Sequence, residues 1–219
     1  MHKTVEITLE KDILGANREI AEQNRSLLKK HDVKAYDFMG SIGSGKTTLI
    51  ESLIDILKSK GIRAGVIAGD VAGDDDCRRF QKHDAQAINV NTGKECHLDA
   101  HMIGHALESA DLENLDILFI ENVGNLVCPL DFPLGTDKRV VVISVTEGDD
   151  MIRKHPLIFA HSDLTVLNKI DLAEAIEVDP KILTADFERL NPHGKILLTD
   201  AKHGTGVERV LSLLFEGDR

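Results

Sequence analysis

The sequence lacks an excess of positive charge and any long apolar run. Its 26 Lys and Arg residues stand against 37 Asp and Glu residues, which gives a formal net charge of -11. A chain this acidic has no broad basic surface, so we do not expect nucleic acid as a partner. Apolar runs such as Val140 to Val145 fall far short of the roughly 20 residues that a membrane-spanning helix needs. We therefore expect no membrane association.

Cysteine is also scarce, and an export signal is missing. The three cysteines, Cys77, Cys96 and Cys128, are an odd and sparse set for a disulfide scaffold. Residues 1–10 mix charged with short apolar side chains and contain neither an extended apolar segment nor a small-residue cleavage site. These absences predict a cytoplasmic protein with free thiols.

Short apolar runs alternate with helical stretches from residue 35 onward. At 219 residues and 42% hydrophobic content, the chain can bury one core. The alternation predicts an α/β fold, a mostly parallel β-sheet with helices on both faces. The predicted strands are Tyr36 to Met39, Ala64 to Ala68, Ala87 to Val90, Ile117 to Ile120, Val140 to Val145, Leu164 to Leu167 and Lys195 to Leu198.

Four segments carry the pattern of helices. An amphipathic pattern over Asn17 to His31 predicts an N-terminal helical extension (residues 1–34) ahead of the main domain (residues 35–219). The other predicted helices are Thr47 to Lys60, His97 to Ala110 and Gly206 to Phe215. The loop from Asn122 to Lys138 is long for such a domain, and we expect it to have a function.

The segment from residue 40 to residue 47 matches the phosphate-binding pattern G-x-x-x-x-G-K-[ST] in full, between a predicted strand and a predicted helix. Its glycines let backbone N–H groups surround a phosphate at a helix N-terminus, and Lys46 adds positive charge. The alternative to a phosphate-binding loop is a glycine-rich turn that binds no ligand. The position of the motif between a predicted strand and a predicted helix disfavours this alternative. The predicted phosphate contacts are Gly40, Ser41, Gly43, Ser44, Gly45, Lys46, Thr47 and Thr48.

A second motif indicates which base is bound. Asn168, Lys169 and Asp171 form the N-K-x-D signature of GTPases after a predicted strand. The Asp171 carboxylate can accept from the two donors that guanine presents and adenine does not, so we expect GTP. Ala201 and Lys202 resemble the weaker element that supports the base.

Acidic residues near the phosphate loop predict a Mg²⁺ site. Thr47 offers a hydroxyl, and Glu121 ends a predicted strand. Asp70 begins an acidic, Gly-containing loop that reaches Asp76 and fits a segment ordered by γ-phosphate and metal. The candidate catalytic residues are Lys46, Asp70 and Asp74, although an acidic solvated loop remains an equal reading of residues 74–76.

Cysteine and histidine form a candidate site for Ni²⁺ or Zn²⁺. Cys96 and His97 stand at the start of a predicted helix, on which His101 and His105 follow at four-residue steps and form one stripe with His97. His101 and His105 are therefore further candidates, and a solvated helix edge is the alternative for His105. Cys128 can reach the same end of the sheet. So few thiolates suggest a metal shared between two chains.

Together these motifs resemble the HypB family of hydrogenase nickel incorporation proteins. The most specific element is the run E-N-V-G-N-L-V-C-P from Glu121 to Pro129, which places a Mg²⁺-proximal acid and a cysteine in one loop. The resemblance also covers Gly40 to Thr48, Asp70 to Asp74, Cys96-His97 and Asn168 to Asp171.

The resemblance implies a P-loop NTPase of the SIMIBI type that hydrolyses GTP, dimerises when GTP binds, and holds nickel or zinc through Cys96, His97 and Cys128. It also implies a HypA-type accessory protein and, directly or indirectly, the large subunit of a [NiFe]-hydrogenase as partners. Lys154 would reach the nucleotide of the partner subunit. Residues 1–36 contain no cysteine, unlike the N-terminal nickel motif of some members, so nickel storage is not expected.

Three other functions stay open at this point. The urease nickel chaperone UreG shares the nucleotide motifs but has a C-P-H arrangement, whereas Leu130 follows Cys128-Pro129 here. A P-loop kinase with ordinary buried thiols would not need the guanine motif. A GTP-dependent switch without metal is the third. Because no glutamine occupies the expected position for orienting water, we expect slow hydrolysis by the chain alone.

Overall fold

The seven apolar runs form a single parallel sheet. The computed structural model describes the backbone of residues 2–216 and the side chains of residues 12–216. Every paired strand in it is parallel, in the order β3-β2-β4-β1-β5-β6-β7, which confirms the α/β prediction. The strands are β1 (Lys34–Gly40), β2 (Ala64–Asp70), β3 (Gln86–Asn91), β4 (Ile117–Glu121), β5 (Lys138–Ser144), β6 (Leu164–Asn168) and β7 (Lys195–Leu198).

Helices cover both faces of the sheet. They are α1 (His2–Lys30), α2 (Lys46–Ser59), α3 (Asp75–Gln81), α4 (Ala100–Ser109), α5 (Met151–Lys154), α6 (Pro156–Ala160), α7 (Pro180–Leu190) and α8 (Val207–Leu214). Short 3₁₀ helices span Leu112–Asn114, Cys128–Asp131, Val145–Glu147 and Ile170–Leu172. No helix in the described part of the chain is long and apolar enough to cross a membrane.

Alternation along β1 explains the two faces, since successive side chains of a strand point to opposite sides. Tyr36 and Phe38 pack with α2, α3 and α8 in one buried cluster. Ala35 packs on the other face with α1 and α4. Met39 also lies on that face, in a third cluster with α5, α6 and α7. The central strands are therefore buried on both sides, as their continuous apolar sequences require.

Two buried asparagines attach α1 to the rest of the domain. The Asn17 side chain accepts from the Ala100 N–H at 2.8 Å and donates to the Pro133 carbonyl at 2.9 Å. Asn24 donates to the carbonyls of Ala100 and Leu134, at 2.8 and 3.2 Å. The first residue of α4, which follows the Cys96-His97 pair, is thus held by α1.

The predicted helix from His97 to Ala110 begins too early. Helix α4 starts at Ala100 because Asp99 is its N-cap, and the Asp99 carboxylate accepts from the Met102 N–H at 2.8 Å. His97 therefore lies before the helix. The predicted stripe of three histidines is wrong, and only His101 and His105 share the helix.

The acidic segment after β2 is only partly a loop. Asp75 and Asp76 lie in the first turn of α3, where carboxylates favourably face the helix N-terminus. Cys77 and Phe80, three residues apart, bury the inner side of this helix in the core. Helices α3, α5, α6 and α7 were not among the predicted elements.

Candidate nucleotide and metal site

The phosphate loop connects β1 to α2 at the carboxyl edge of the sheet. Gly40 has φ +147°, and a Cβ there would lie 2.0 Å from the Val142 carbonyl oxygen on the neighbouring strand. Gly45 has φ +97°, and its Cβ would lie 2.3 Å from Asn168 Nδ2. Only glycine fits either position, so both motif glycines are required by the close approach of other segments.

Lys46 and Thr47 begin α2 and face Glu121 at the end of β4. The Lys46 ammonium is buried and donates to the carbonyls of Gly40 and Ser41, at 3.3 and 3.1 Å. Burial lowers its pKa, and the charge of Glu121 partly offsets this. Thr47 Oγ1 donates to Glu121 Oε1 at 2.8 Å. A hydroxyl and a carboxylate are thus placed together beside the loop.

Glu121 is the most perturbed acid of this site. It is 4% exposed, and burial raises its pKa to about 7, while Lys46 acts in the opposite direction. Its second oxygen, Oε2, has no hydrogen-bond partner among the described residues. A buried and unpaired carboxylate oxygen is suited to a cation, because oxygen is the ligand that Mg²⁺ prefers.

A cavity of about 440 Å³ opens over the phosphate loop. Of the residues proposed for phosphate, Mg²⁺ or catalysis, Lys46, Thr47, Asp70 and Glu121 line this cavity, together with Asp76 and Arg79. Asp74 is not among the lining residues. It is the N-cap residue of α3, and its carboxylate pairs with Arg78 at 2.9 Å.

The sequence reasoning missed Arg79 altogether and singled out Asp74 in preference to Asp76. Arg79 donates to both carboxylate oxygens of Glu51, at 2.9 and 2.6 Å, and to Thr48 Oγ1 at 3.1 Å. Asp76 precedes Arg79 by one helical turn and faces the same side. Recognising α3 as a helix would have placed both residues on that side.

Asn168 joins the base-binding motif to the phosphate loop. Its Nδ2 donates to the Ser44 carbonyl at 3.0 Å, and its Oδ1 accepts from Thr199 Oγ1 at 3.1 Å and from the Ala201 N–H at 3.0 Å. Lys169, in the left-handed conformation, donates to the Gly43 carbonyl at 2.6 Å. Asn168 and Lys169 therefore contact the phosphate loop directly, and Asn168 links it to Ala201 of the second base element.

A second cavity of about 290 Å³ adjoins the first on the side of β6. Asp171 and Lys202 line it with Asn168, Lys169 and Asp200. Asp171 is the exposed middle residue of the 3₁₀ helix that follows Lys169. This arrangement can accept a planar base with a paired donor edge.

The structure brings Cys96, His97 and Cys128 together, with one potential ligand atom from each lying within 4.8 Å of the others. Cys96 Sγ lies 2.9 Å from Cys128 Sγ and 3.9 Å from His97 Nδ1. The contact with Cys128, and secondly burial, raises the pKa of Cys96. The His97 ring packs on Phe132 at a centroid distance of 4.0 Å. Cys77 is buried elsewhere in the core.

The other two candidate ligands form a separate pair on α4. His101 Nε2 and His105 Nε2 lie 3.2 Å apart, and His105 Nδ1 lies 3.3 Å from a Glu108 carboxylate oxygen. Neither histidine belongs to the cluster of Cys96, His97 and Cys128.

Asn125 lies between the phosphate loop and the two cysteines. Its N–H donates to the Gly40 carbonyl at 2.9 Å, and its Nδ2 donates to the Cys96 carbonyl at 3.2 Å. Its Oδ1 accepts from the N–H of Val127, the residue before Cys128, at 2.8 Å. The loop that follows Glu121 is therefore bonded to both sites.

Lys154 lies on α5, away from these contacts. Its ammonium is exposed and pairs with Asp150 at 2.7 Å.

Comparison with known proteins decides the family. Residues 35–198 match the domain described as CobW/HypB/UreG, nucleotide-binding domain. The sequence is 55% identical to a probable hydrogenase maturation factor HypB of Methanocaldococcus jannaschii, over 98% of this chain and 96% of that protein. The chain belongs to the HypB family. Its fold, predicted from the phosphate loop and the strand pattern, is accordingly that of a nucleotide-binding P-loop protein.

Two solved HypB structures resemble the whole domain. The crystal structure of HypB from Archaeoglobus fulgidus is 46% identical, with a TM-score of 0.85 over 91% of this chain and 97% of that one. The structure of HypB from Helicobacter pylori in complex with nickel is 35% identical, with a TM-score of 0.86 over 92% of this chain and 94% of that one.

Proposed function

We propose that this chain is a GTP-hydrolysing metallochaperone that delivers nickel during the maturation of a [NiFe]-hydrogenase. The observation that carries the proposal is the contact of the Cys96 and Cys128 thiols, 2.9 Å apart, in segments that Asn125 bonds to the phosphate loop. The nickel complex of a HypB relative and the maturation-factor names of its relatives support the choice of cargo and pathway.

Guanine nucleotide would occupy the two adjoining cavities. Asp171 would accept from the base, while the backbone N–H groups of the phosphate loop and Lys46 would hold the phosphates. The Lys46 ammonium lies beside the loop, where it donates to the carbonyls of Gly40 and Ser41. A phosphate oxygen would replace these carbonyls as acceptor, and the ammonium would not need to move far.

Thr47 and Glu121 fit a Mg²⁺ ion, because Glu121 Oε2 is buried without a hydrogen-bond partner among the described residues. Bound there with the nucleotide, Mg²⁺ would neutralise charge that develops on the β and γ oxygens. Asp70 and Asp76 line the same cavity, and either would orient the attacking water. Asp74 would act on the cavity only through α3, for which it is the N-cap residue.

Nucleotide state would control the metal cargo through the loop that follows Glu121. Binding of nucleotide and Mg²⁺ beside Glu121 would order the loop that follows this residue and thereby move Asn125. The Asn125 side chain is bonded to the Cys96 carbonyl and to the N–H of Val127, the residue before Cys128. We propose that Ni²⁺ or Zn²⁺ is shared between Cys96, His97 and Cys128 of two chains in a GTP-dependent homodimer. An accessory protein of the HypA type and the hydrogenase large subunit would then be partners in the cytoplasm.

The test combines nickel binding with the mass of the assembly. The protein is mixed with Ni²⁺ and either GDP or a non-hydrolysable GTP analogue, and bound metal and molar mass are measured together. We expect a dimer with the analogue only, and metal binding that Cys96→Ser/Cys128→Ser abolishes. Cys77→Ala is the matched control, since Cys77 lies outside the cluster and should leave metal binding intact.

The outcomes separate the functions. A dimer that forms with the analogue but binds no nickel in either protein would leave a nucleotide-dependent switch without a metal cargo. Nickel binding that survives the double substitution would place the cargo at other ligands and reject the proposed site.

A further inference from the structure

A second carboxylate lies beside the one that reads the base. Asp171, Asp200 and His203 each place a charged or polar side-chain atom within 4.8 Å of the others. Asp171 and Asp200 both line the 290 Å³ cavity. Asp200 is buried, whereas Asp171 and His203 are exposed. The base cavity therefore contains one more carboxylate than guanine recognition needs.

An unpaired Asp200 would weaken guanine binding. Guanine presents one paired donor edge, and one carboxylate with two oxygens accepts it fully. A second carboxylate at this distance adds negative charge beside the first and offers the donors of the base a competing acceptor. The pocket thus needs a group that keeps Asp200 from acting as a free anion.

His203 occupies both oxygens of Asp200. Its Nδ1 lies 2.5 Å from Asp200 Oδ2, and because an ionised carboxylate only accepts, Nδ1 is the donor. The His203 backbone N–H donates to Asp200 Oδ1 at 3.2 Å.

The backbone fixes this arrangement. The Asp200 N–H donates to the Thr205 carbonyl, and the Thr205 N–H donates to the Asp200 carbonyl, both at 3.0 Å. His203 therefore lies within a turn that the pair Asp200 and Thr205 closes. Asp171 belongs to a different turn, so the charge of Asp200 can be satisfied without displacing it.

We propose that His203 supports guanine binding in this pocket by acting through Asp200. By donating to Asp200, it leaves Asp171 as the single free carboxylate at the base edge. This inference rests on the proposed binding of guanine at Asp171. His203 is a positioning residue, since its partner is Asp200 and not the base.

The experiment is a double-mutant cycle on the full chain, with fluorescently labelled GDP as the probe. His203→Ala should weaken GDP binding by about tenfold, a size typical of coupled neighbouring groups. Asp200→Asn/His203→Ala should return the affinity to within about twofold of wild type, because the amide keeps the turn and removes the charge.

The controls separate this inference from the function on which it rests. His193→Ala removes an exposed histidine outside the pocket and should leave GDP affinity unchanged. Asp171→Asn should strongly weaken GDP binding; if it does not, guanine recognition at Asp171 itself is wrong. If Asp171→Asn weakens binding but His203→Ala does not, or if the double variant is no better than His203→Ala, the role of His203 is overturned. A urea midpoint for each variant identifies any loss of folding.

Discussion

The carboxylate of Asp37 is buried on the central strand of the sheet. Asp37, on β1, is 1% exposed and accepts from Asn122 Nδ2 at 3.2 Å, while its Oδ2 has no hydrogen-bond partner among the described residues. Burial raises its pKa to about 6; the bond to Asn122 and the charge of Arg139 lower it by less. Ionised Asp37 is thus a net cost to folding at neutral pH.

Asp37→Asn should stabilise the protein above pH 6. Because the folded-state pKa of about 6 exceeds the ordinary value of 3.8, the folded chain binds this proton more tightly, and wild-type stability falls as pH rises from 3.8 to about 6. Asparagine keeps the acceptor for Asn122 and carries no charge. Urea unfolding should show a gain of at most about 3 kcal/mol at pH 8.

The pH dependence is the decisive part of that measurement. The gain should shrink towards zero near pH 4, where Asp37 is neutral in the folded protein. Glu188→Gln, at an exposed position, is the control and should show no such trend. A gain of equal size at both pH values would mean that packing, and not ionisation, is responsible.

At the scale of elements, the loop after β4 rests directly on the phosphate loop. A Cβ at Gly124 would lie 2.3 Å from Ile42 Cγ1 and 3.0 Å from the Ile42 backbone nitrogen. The next residue, Asn125, is bonded to Gly40. The two loops therefore touch without space for a methyl group.

Gly124→Ala should push these loops apart. We expect a stability loss of about 1 to 3 kcal/mol, as for other overpacked contacts, together with weaker binding of labelled GDP. Gly15→Ala is the control, because Gly15 lies on α1 with nothing within 4 Å of its Cβ position and alanine favours a helix. Unchanged GDP affinity in Gly124→Ala would show that the contact does not shape the phosphate loop.

Elements differed in how much of them the sequence could predict. The strands were recoverable because their apolar runs are buried on both faces, and the phosphate loop because its spacing is dictated by the ligand. The start of α4 was predicted too early, because the spacing of the histidines extends the helical pattern back to His97. The actual start is set by Asp99, whose carboxylate caps the helix through one hydrogen bond. The proximity of His203 to Asp171 depends on a turn closed by Asp200 and Thr205, which no local pattern signals.

For the whole molecule, the carboxyl edge of the sheet carries the residues of both proposed sites, for nucleotide and for metal, on one side. Glu121, Asn168 and Asp70 each end a strand of this edge, as ligand-binding residues of open α/β sheets commonly do. Lys154 is exposed, with Asp150 as its ion-pair partner. Because both proposed sites lie at this edge, a second copy of the chain that packed against it would contact the nucleotide site and the metal site together.

Lys154→Ala should affect hydrolysis only in the dimer. If Lys154 reaches the nucleotide of the partner subunit, the variant should hydrolyse GTP about tenfold or more slowly at concentrations where wild type dimerises. Binding of labelled GDP by the monomer should change little. The measurement is the rate per chain as a function of protein concentration.

Lys181→Ala, an exposed lysine on α7, is the control for lost surface charge. Equal rates for Lys154→Ala and wild type across the concentration series would reject the contact with the partner subunit.

The three bonds of Asn168 have an entropic consequence. One side chain holds Ser44, Thr199 and Ala201 together. Because these bonds fix the base side of the pocket, we expect little conformational freedom to be lost there when a base binds. The third phosphate, by which GTP differs from GDP, would instead lie on the side of Asp70, α3 and Glu121, and we expect the two nucleotides to be distinguished there. The loop that leads from Glu121 to Cys128 begins on the same side.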